Sequence, residues 1–175
     1  MKLYVVRHGE TLANLEERVS GSKESPLTSK GIMQAKKLGE ELKDISFDRV
    51  FSSPLLRTID TARLITKKTV IIDERLIERD YGDNEGKLKI ETNPNELWDY
   101  NLNVETGGCE KVHDILNRAK DFISDLKENY PDETLLVVTH SGVARAIYYS
   151  LHKIPKDGNL RKIELPNCGY QIYEL

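Results

Sequence analysis

Short apolar runs alternate with longer amphipathic stretches along this chain. The clearest runs are residues 3–6 and 134–138, which are rich in leucine and valine and contain no charged residue. Runs of this length and composition are typical of strands buried on both faces of a parallel sheet. Shorter β-prone runs at residues 49–52 and 70–72 predict two further strands.

The amphipathic stretches predict helices between these strands. In residues 32–45 and 112–126, apolar side chains recur at spacings of three and four, which places them on one helix face. Thr28 can cap the first of these helices. The serine–proline pair at residues 53–54 predicts another helix start, and a last helix ends near residue 151.

The tail of the chain predicts an antiparallel hairpin. Residues 162–165 and 170–174 are β-prone and flank a turn-forming segment, so we expect them to pair at the sheet edge. Alternating strands and helices indicate the α/β class. We therefore expect a three-layer α/β/α fold whose central sheet is mostly parallel with an antiparallel edge strand, in one domain spanning residues 1–175.

Charge and composition limit the possible partners. The chain has 26 Lys and Arg against 29 Asp and Glu, a net charge of −3, so no overall basic field would attract nucleic acid or an acidic membrane. The apolar run at residues 3–6 is too short for the core of a signal peptide, and we expect a soluble cytoplasmic protein. Cys109 and Cys168 lack a Cys-x-x-Cys spacing, which favours reduced thiols.

Polar residues follow three of the predicted strands directly. Arg7 and His8 come after the first strand, Arg57 comes shortly after the second, and His140 comes after the last parallel strand. Ligands of open α/β sheets bind beyond the carboxyl ends of the strands, so we expect these side chains to meet at one rim. Two arginines and two histidines there would form a local positive pocket, for which phosphate is the natural ligand.

These residues resemble the histidine phosphatase superfamily, which includes cofactor-dependent phosphoglycerate mutases and many phosphatases. The resemblance covers nearly the whole chain. The matching blocks are, in order, Arg7-His8-Gly9-Glu10-Thr11 with Asn14, Arg18 with Gly21, Pro26-Leu27-Thr28 with Gly31 and Gln34-Ala35, Ser52-Ser53-Pro54-Leu55 with Arg57 and Thr61-Ala62, Glu78-Arg79-Asp80-Tyr81-Gly82 with Glu85-Gly86, Gly108 with Glu110, and Thr139-His140-Ser141-Gly142.

The resemblance implies a role for each matched residue. It makes His8 the nucleophile that briefly carries the phosphoryl group, with Arg7, Arg57 and His140 binding the three phosphoryl oxygens. The remaining phosphate- and substrate-binding residues that it implies are Asn14, Ser20, Gly21, Ser141 and Gly142.

The resemblance also assigns the proton-transfer group. Glu78 matches the acid/base position, which protonates the leaving oxygen and then activates the hydrolytic water. Three other carboxylates, Glu74, Asp80 and Glu85, lie close to it in sequence, so this assignment is open to a neighbour.

No metal or cofactor is expected. The two histidines lack a supporting His, Cys or Asp cluster at ligand spacing, and a dication beside two arginines would be repelled. The expected partner is a small-molecule phosphate ester, and the oligomeric state is left open.

Within the family we favour a phosphatase, with a cofactor-dependent phosphoglycerate mutase as the alternative. The chain is short for a mutase, and residues 87–110 contain lysines but no arginine for a substrate carboxylate. A phosphate-binding module without catalysis is a third hypothesis, which the retained histidines, arginines and Glu78 oppose. Trp98 and Tyr100 could be core residues or line a substrate lid, whereas Arg161 is interpreted as solvated.

Overall fold

Five strands form one sheet in the computed structural model, which describes residues 1–175. The strands are β1 (Lys2–Arg7), β2 (Arg49–Ser52), β3 (Val70–Ile72), β4 (Thr134–Thr139) and β5 (Tyr170–Glu174). Across the sheet the order is β3-β2-β4-β1-β5, with β1 to β4 parallel and β5 antiparallel to β1. The expected mostly parallel sheet with an antiparallel edge strand is confirmed.

Six α-helices and five short 3-10 turns complete the chain. The helices are α1 (Leu12–Leu15), α2 (Ser29–Glu41), α3 (Leu56–Ile65), α4 (Pro94–Leu97), α5 (Val112–Asn129) and α6 (Ser141–Leu151). The 3-10 turns are Glu74–Leu76, Gly82–Asn84, Lys89–Glu91, Thr106–Gly108 and Leu160–Lys162. None of the helices has the length and apolarity that crossing a membrane requires.

Both faces of the sheet are buried, which makes the fold three-layered. Side chains of a strand alternate between the two faces, so Leu3 and Val5 of β1 pack with α5 and α6, while Tyr4 and Val6 pack with α2 and α3. The α/β/α architecture predicted from the sequence is therefore confirmed.

The predicted caps and boundaries agree with the structure at most ends. Thr28 caps α2 by accepting a hydrogen bond from the Gly31 amide at 3.0 Å. The helix predicted at the serine–proline pair, however, begins at Leu56. Ser53 Oγ accepts a hydrogen bond from the Leu55 amide and also contacts the His140 ring. Ser53 therefore does not cap a helix, and its side chain positions the ring instead.

The predicted hairpin in the tail is wrong. Residues 160–162 form a 3-10 turn, residues 163–165 have no strand structure, and β5 pairs with β1 alone. The physical reason is that two arginine side chains take the carbonyls that a ladder would use. Arg145 Nε donates to Ile163 O at 2.9 Å, and Arg7 Nη1 donates to Leu165 O at 2.6 Å.

Candidate active site

A cavity of about 210 Å³ opens at the carboxyl end of the sheet. The parallel pairing of β1 with β4 places Arg7 opposite Thr139, so His8 and His140 follow side by side. Of the ten residues predicted for the site, nine line this cavity: Arg7, His8, Asn14, Ser20, Gly21, Arg57, Glu78, Ser141 and Gly142. The tenth, His140, lies behind them.

The His8 ring is fixed in one orientation by its own neighbour. Nδ1 lies 2.7 Å from the Gly9 carbonyl oxygen, which can only accept, so we assign the proton of the neutral ring to Nδ1. Nε2 is then an unprotonated nitrogen without a hydrogen-bond partner. Burial, followed by the charges of Arg57 and Arg7, lowers the pKa of His8 from 6.5 to about 3. The imidazole is therefore held neutral and able to act as a nucleophile.

Glycine is required at position 9 because the loop after β1 passes close to the backbone of α2 beside His8. A Cβ on Gly9 would lie 2.5 Å from the carbonyl oxygen of Gly31, the third residue of α2. Glycine at this position therefore allows the loop after β1 to pass directly against α2.

Arg57 joins the loop of residues 21–23 to the site. The side chain is 1% exposed, and its terminal nitrogens donate to the carbonyls of Gly21 and Lys23, both at 2.7 Å. Its Nε donates to Nδ1 of His140 at 3.3 Å. Burial lowers the pKa of the guanidinium.

His140 is completely buried, and both of its ring nitrogens have partners. Because Nδ1 accepts from Arg57, Nε2 carries the proton and donates to Ser53 Oγ at 2.8 Å. The ring centroid lies 5.2 Å from that of His8, and burial followed by the Arg57 charge lowers the pKa of His140 well below 6.5. Direct contact of His140 with a phosphoryl oxygen stays a prediction.

Arg7 and Ser141 each present a buried polar atom without a partner. Arg7 Nη1 is bound to the Leu165 carbonyl, but Nε has no acceptor, and neither does the Ser141 hydroxyl. An unpaired buried donor is costly, so unpaired donors in a cavity wall indicate that a ligand supplies the acceptor.

Glu78 lines the cavity, and two backbone hydrogen bonds fix its carboxylate. Its oxygens accept from the amides of Arg79 at 2.8 Å and Gly142 at 3.1 Å. A Cβ at Gly142 would collide with this carboxylate, which explains the glycine there.

The three neighbouring carboxylates that could have replaced Glu78 do not line the cavity. Asp80 accepts from the Gly82 amide, and Glu85 accepts from Ser22, both outside it. Glu74 is exposed on its 3-10 turn.

Asn14 has its amide oriented by a residue that the sequence analysis missed. Its Oδ1 accepts from the Thr11 amide at 3.2 Å and from Asn167 Nδ2 at 3.0 Å, which leaves the Asn14 amide nitrogen as the group able to donate to a ligand. Asn167 Nδ2 also donates to the His8 carbonyl at 3.1 Å.

The outer wall of the cavity was predicted only in part, through Trp98 as a core or lid residue. Trp98 is 3% exposed and lies between the guanidiniums of Arg79 and Arg145, whose central carbons are 4.8 and 4.2 Å from its ring centroid. Its Nε1 donates to the Tyr81 hydroxyl at 3.0 Å. Trp98 is thus both a core residue and part of the wall. Tyr100 does not line the cavity.

Arg161, interpreted from the sequence as solvated, lies at the mouth of the cavity. The sequence offered one signal for this wall: Arg145 is the only charged residue in the otherwise apolar and small-residue helix α6. No group of three His, Cys, Asp or Glu side chains in the protein is arranged to hold a metal ion.

Comparison with known proteins agrees with this geometry. The family model described as the histidine phosphatase superfamily (branch 1) matches residues 3–175. The chain is 34% identical over 160 residues to phosphoserine phosphatase 1 of Hydrogenobacter thermophilus, covering 86% of this chain and 76% of that one. It is 32% identical over 186 residues to a 2,3-bisphosphoglycerate-dependent phosphoglycerate mutase of Gloeobacter violaceus, covering 98% and 84%.

A solved structure shows the same fold. The structure of YhfR from Bacillus stearothermophilus superposes with a TM-score of 0.87 at 30% identity, covering 98% of this chain and 89% of that one. The similarity extends across all three layers of the fold.

Proposed function

Because this chain belongs to branch 1 of the histidine phosphatase superfamily, we propose that it is a phosphatase that hydrolyses a phosphomonoester through a phosphohistidine on His8. The observation that carries the proposal is the His8 ring, whose Nδ1 is bound to the Gly9 carbonyl while Nε2 has no partner. The enclosing arginines supply the positive charge that a phosphoryl group requires.

The first step transfers the phosphoryl group to the enzyme. Nε2 of His8 attacks phosphorus, the ester P–O bond breaks, and protonated Glu78 donates its proton to the leaving oxygen. Arg7 Nε and the Ser141 hydroxyl, which lack partners, would donate to the phosphoryl oxygens. Arg57 contributes its charge from the adjacent wall.

The second step releases phosphate. Glu78, now a carboxylate, takes a proton from a water molecule whose oxygen attacks phosphorus, and the N–P bond to His8 breaks. The electron pair of that bond returns to Nε2, which restores the neutral ring. One carboxylate serves both steps. Glu78 can do so because it is bound to the Gly142 amide of α6 and lines the cavity.

The experiment that tests this proposal measures turnover and the intermediate together. The protein should hydrolyse 4-nitrophenyl phosphate in EDTA, and quenching during turnover should trap a phosphoenzyme that acid destroys. His8→Ala should do neither, whereas His152→Ala, which removes an exposed imidazole that does not line the cavity, should do both. Full activity in His8→Ala, or loss of wild-type activity in EDTA, would refute the mechanism.

A phosphoglycerate mutase is the second candidate. It is favoured by the 32% identity to a mutase over 98% of this chain and by the cations Lys89 and Arg161 at the cavity mouth. The proposed phosphatase should release phosphate from 3-phosphoglycerate faster than it isomerises it in the presence of 2,3-bisphosphoglycerate. Faster isomerisation would select the mutase. In either case the substrate would be a small phosphate ester, and we propose a cytoplasmic location.

A further inference from the structure

One hydrogen bond, between His8 Nδ1 and the Gly9 carbonyl oxygen, decides which nitrogen of the ring is free to attack. A neutral imidazole carries its proton on either nitrogen, and only the tautomer with the proton on Nδ1 leaves Nε2 unprotonated. The carbonyl belongs to the peptide unit that joins Gly9 to Glu10. Glycine restrains a neighbouring peptide less than any other residue, so the orientation of this peptide needs a cause elsewhere in the fold.

The peptide units on either side of this one are held by the surrounding structure. In the preceding peptide, the Gly9 amide donates to Thr61 Oγ1 at 3.1 Å. In the following peptide, the Glu10 carbonyl accepts from the Thr28 amide at 2.9 Å. The Gly9–Glu10 peptide therefore lies between two fixed units, and its own rotation is the freedom that remains.

Gln34 of α2 restrains that rotation. Its Oε1 accepts from the Glu10 amide at 2.9 Å. Since the amide and carbonyl of a trans peptide point in opposite directions, this bond directs the Gly9 carbonyl towards the His8 ring. Gln34 is partly buried and does not line the cavity, so it can reach the reaction only through this peptide.

The packing of α2 brings Gln34 to the loop after β1. A Cβ on Gly31 would lie 2.1 Å from the Glu10 carbonyl oxygen, so glycine at position 31 allows the helix and the loop to approach closely. Gln34 follows three residues later, which places it on the same face of the helix. The contact between Gln34 and the Glu10 amide is therefore part of the packing of α2 on this loop.

Loss of this bond would free the peptide to turn over. Glycine adopts positive and negative φ about equally well, so Gly9 permits a rotated peptide whose Glu10 amide faces the His8 ring. An N–H group facing Nδ1 makes that nitrogen an acceptor, and the proton of the neutral ring then lies on Nε2. In that tautomer Nε2 has no electron pair with which to attack phosphorus.

We infer that Gln34 is a positioning residue, which keeps the proton of His8 on Nδ1 by fixing the Gly9–Glu10 peptide and so keeps Nε2 free. Its expected effect on turnover rests on the proposed phosphatase function. Its expected effect on the tautomer does not, because the tautomer is a property of the resting protein.

The tautomer of His8 can be measured directly by nuclear magnetic resonance. Protein labelled with nitrogen-15 in its histidine rings, in phosphate-free buffer at about pH 8, gives different signals for protonated and unprotonated ring nitrogens. The signals of His8 are those absent from His8→Ala. In the wild type, Nδ1 should be protonated and Nε2 unprotonated.

Variants then assign the tautomer to Gln34. Gln34→Leu, which keeps a good helix former, should move part of the His8 proton to Nε2 and lower kcat/KM on 4-nitrophenyl phosphate by about tenfold, as expected for one hydrogen bond. Gln34→Glu keeps an acceptor oxygen and should retain the wild-type tautomer. Gln171→Leu is the matched control. It removes the other glutamine of the chain, whose Oε1 accepts from Tyr173 outside the cavity, and should leave both measurements unchanged.

The wild-type tautomer in Gln34→Leu would overturn the inference even if kcat/KM fell, because Gln34 would then act on the fold and not on the ring. Protonated Nε2 in the wild type, or equal effects in Gln171→Leu, would overturn it as well. If Gln34→Leu fails to fold, Gln34→Ala decides the same point. Failure of the proposed function is distinct: a changed tautomer with unchanged kcat/KM would exclude attack by Nε2 and still support the role of Gln34.

Discussion

Keeping His8 neutral in a buried site has a cost that depends on pH. The folded protein holds the pKa of His8 at about 3, whereas the unfolded chain has the ordinary value of 6.5. Between these pH values the unfolded state binds more protons than the folded state, so stability increases with pH. This contribution is fully present above about pH 6.5 and is lost as the pH falls towards 3.

The loss of stability that His8 causes at pH 5 depends only on the protonation of the unfolded chain. There the folded ring is still neutral, and the unfolded imidazole lies 1.5 units below its pKa of 6.5. At 1.36 kcal/mol per unit, the free energy of unfolding at pH 5 is lower by about 2 kcal/mol than at pH 8. His140, whose pKa is also lowered by burial, should add a loss of the same sign.

Urea unfolding at pH 5, 6, 7 and 8 in phosphate-free buffers measures this loss. His8→Asn replaces the ring with a group that cannot titrate, so its free energy of unfolding should fall by about 2 kcal/mol less than that of the wild type between pH 8 and pH 5. His152→Asn is the matched control, because it removes an exposed imidazole outside the cavity. If wild type and His8→Asn show the same pH dependence within about 0.5 kcal/mol, His8 is not held neutral by the fold.

Two further predictions concern catalysis. Glu78→Gln should lower kcat/KM, which reports phosphoryl transfer to His8, by about 100-fold or more on an alkyl phosphate and by less on 4-nitrophenyl phosphate, whose leaving group needs no proton. Glu74→Gln is the exposed control, and equal losses of kcat/KM on both substrates would argue against proton transfer to the leaving oxygen. Asn167→Ala should lower kcat/KM by about fivefold, since it frees the Asn14 amide and the His8 carbonyl. Asn129→Ala, at the exposed end of α5, should have no effect, and an unchanged kcat/KM in Asn167→Ala would exclude the positioning role.

The rim of the candidate site could be predicted because His8 and His140 directly follow two strongly apolar strands. The apolar runs of β1 and β4 are unambiguous, and once they are parallel neighbours their carboxyl ends must deliver His8 and His140 to one edge. Glu78 could be placed only by resemblance. It follows a 3-10 turn without periodicity, and the assignment stayed open to Glu74, Asp80 and Glu85 until the structure placed Glu78, and none of these three, at the cavity.

The outer wall could be predicted only in part because its residues come from segments without regular patterns. Trp98 follows a helix of four residues, and Arg161 lies in a 3-10 turn. Local sequence left Trp98 open as a core residue or part of a substrate lid, and it described Arg161 as a solvated residue. What brings them together is a backbone contact, in which the Leu160 amide donates to the Trp98 carbonyl at 3.1 Å, and no local spacing reveals it.

The error in the tail has a physical cause, which is that arginines of the cavity also hold the backbone around it. Three of these arginines donate to backbone carbonyls of neighbouring loops. Arg7 donates to Leu165, Arg145 donates to Ile163, and Arg57 donates to Gly21 and Lys23. The loop carbonyls thereby gain partners without a strand ladder, and the guanidiniums are fixed with their charge towards the cavity. A lysine could supply the charge, but it has no second, planar set of donors for the loop. The conformation of these loops and the positive charge of the cavity are thus set by the same side chains, so neither can be derived from the sequence without the other.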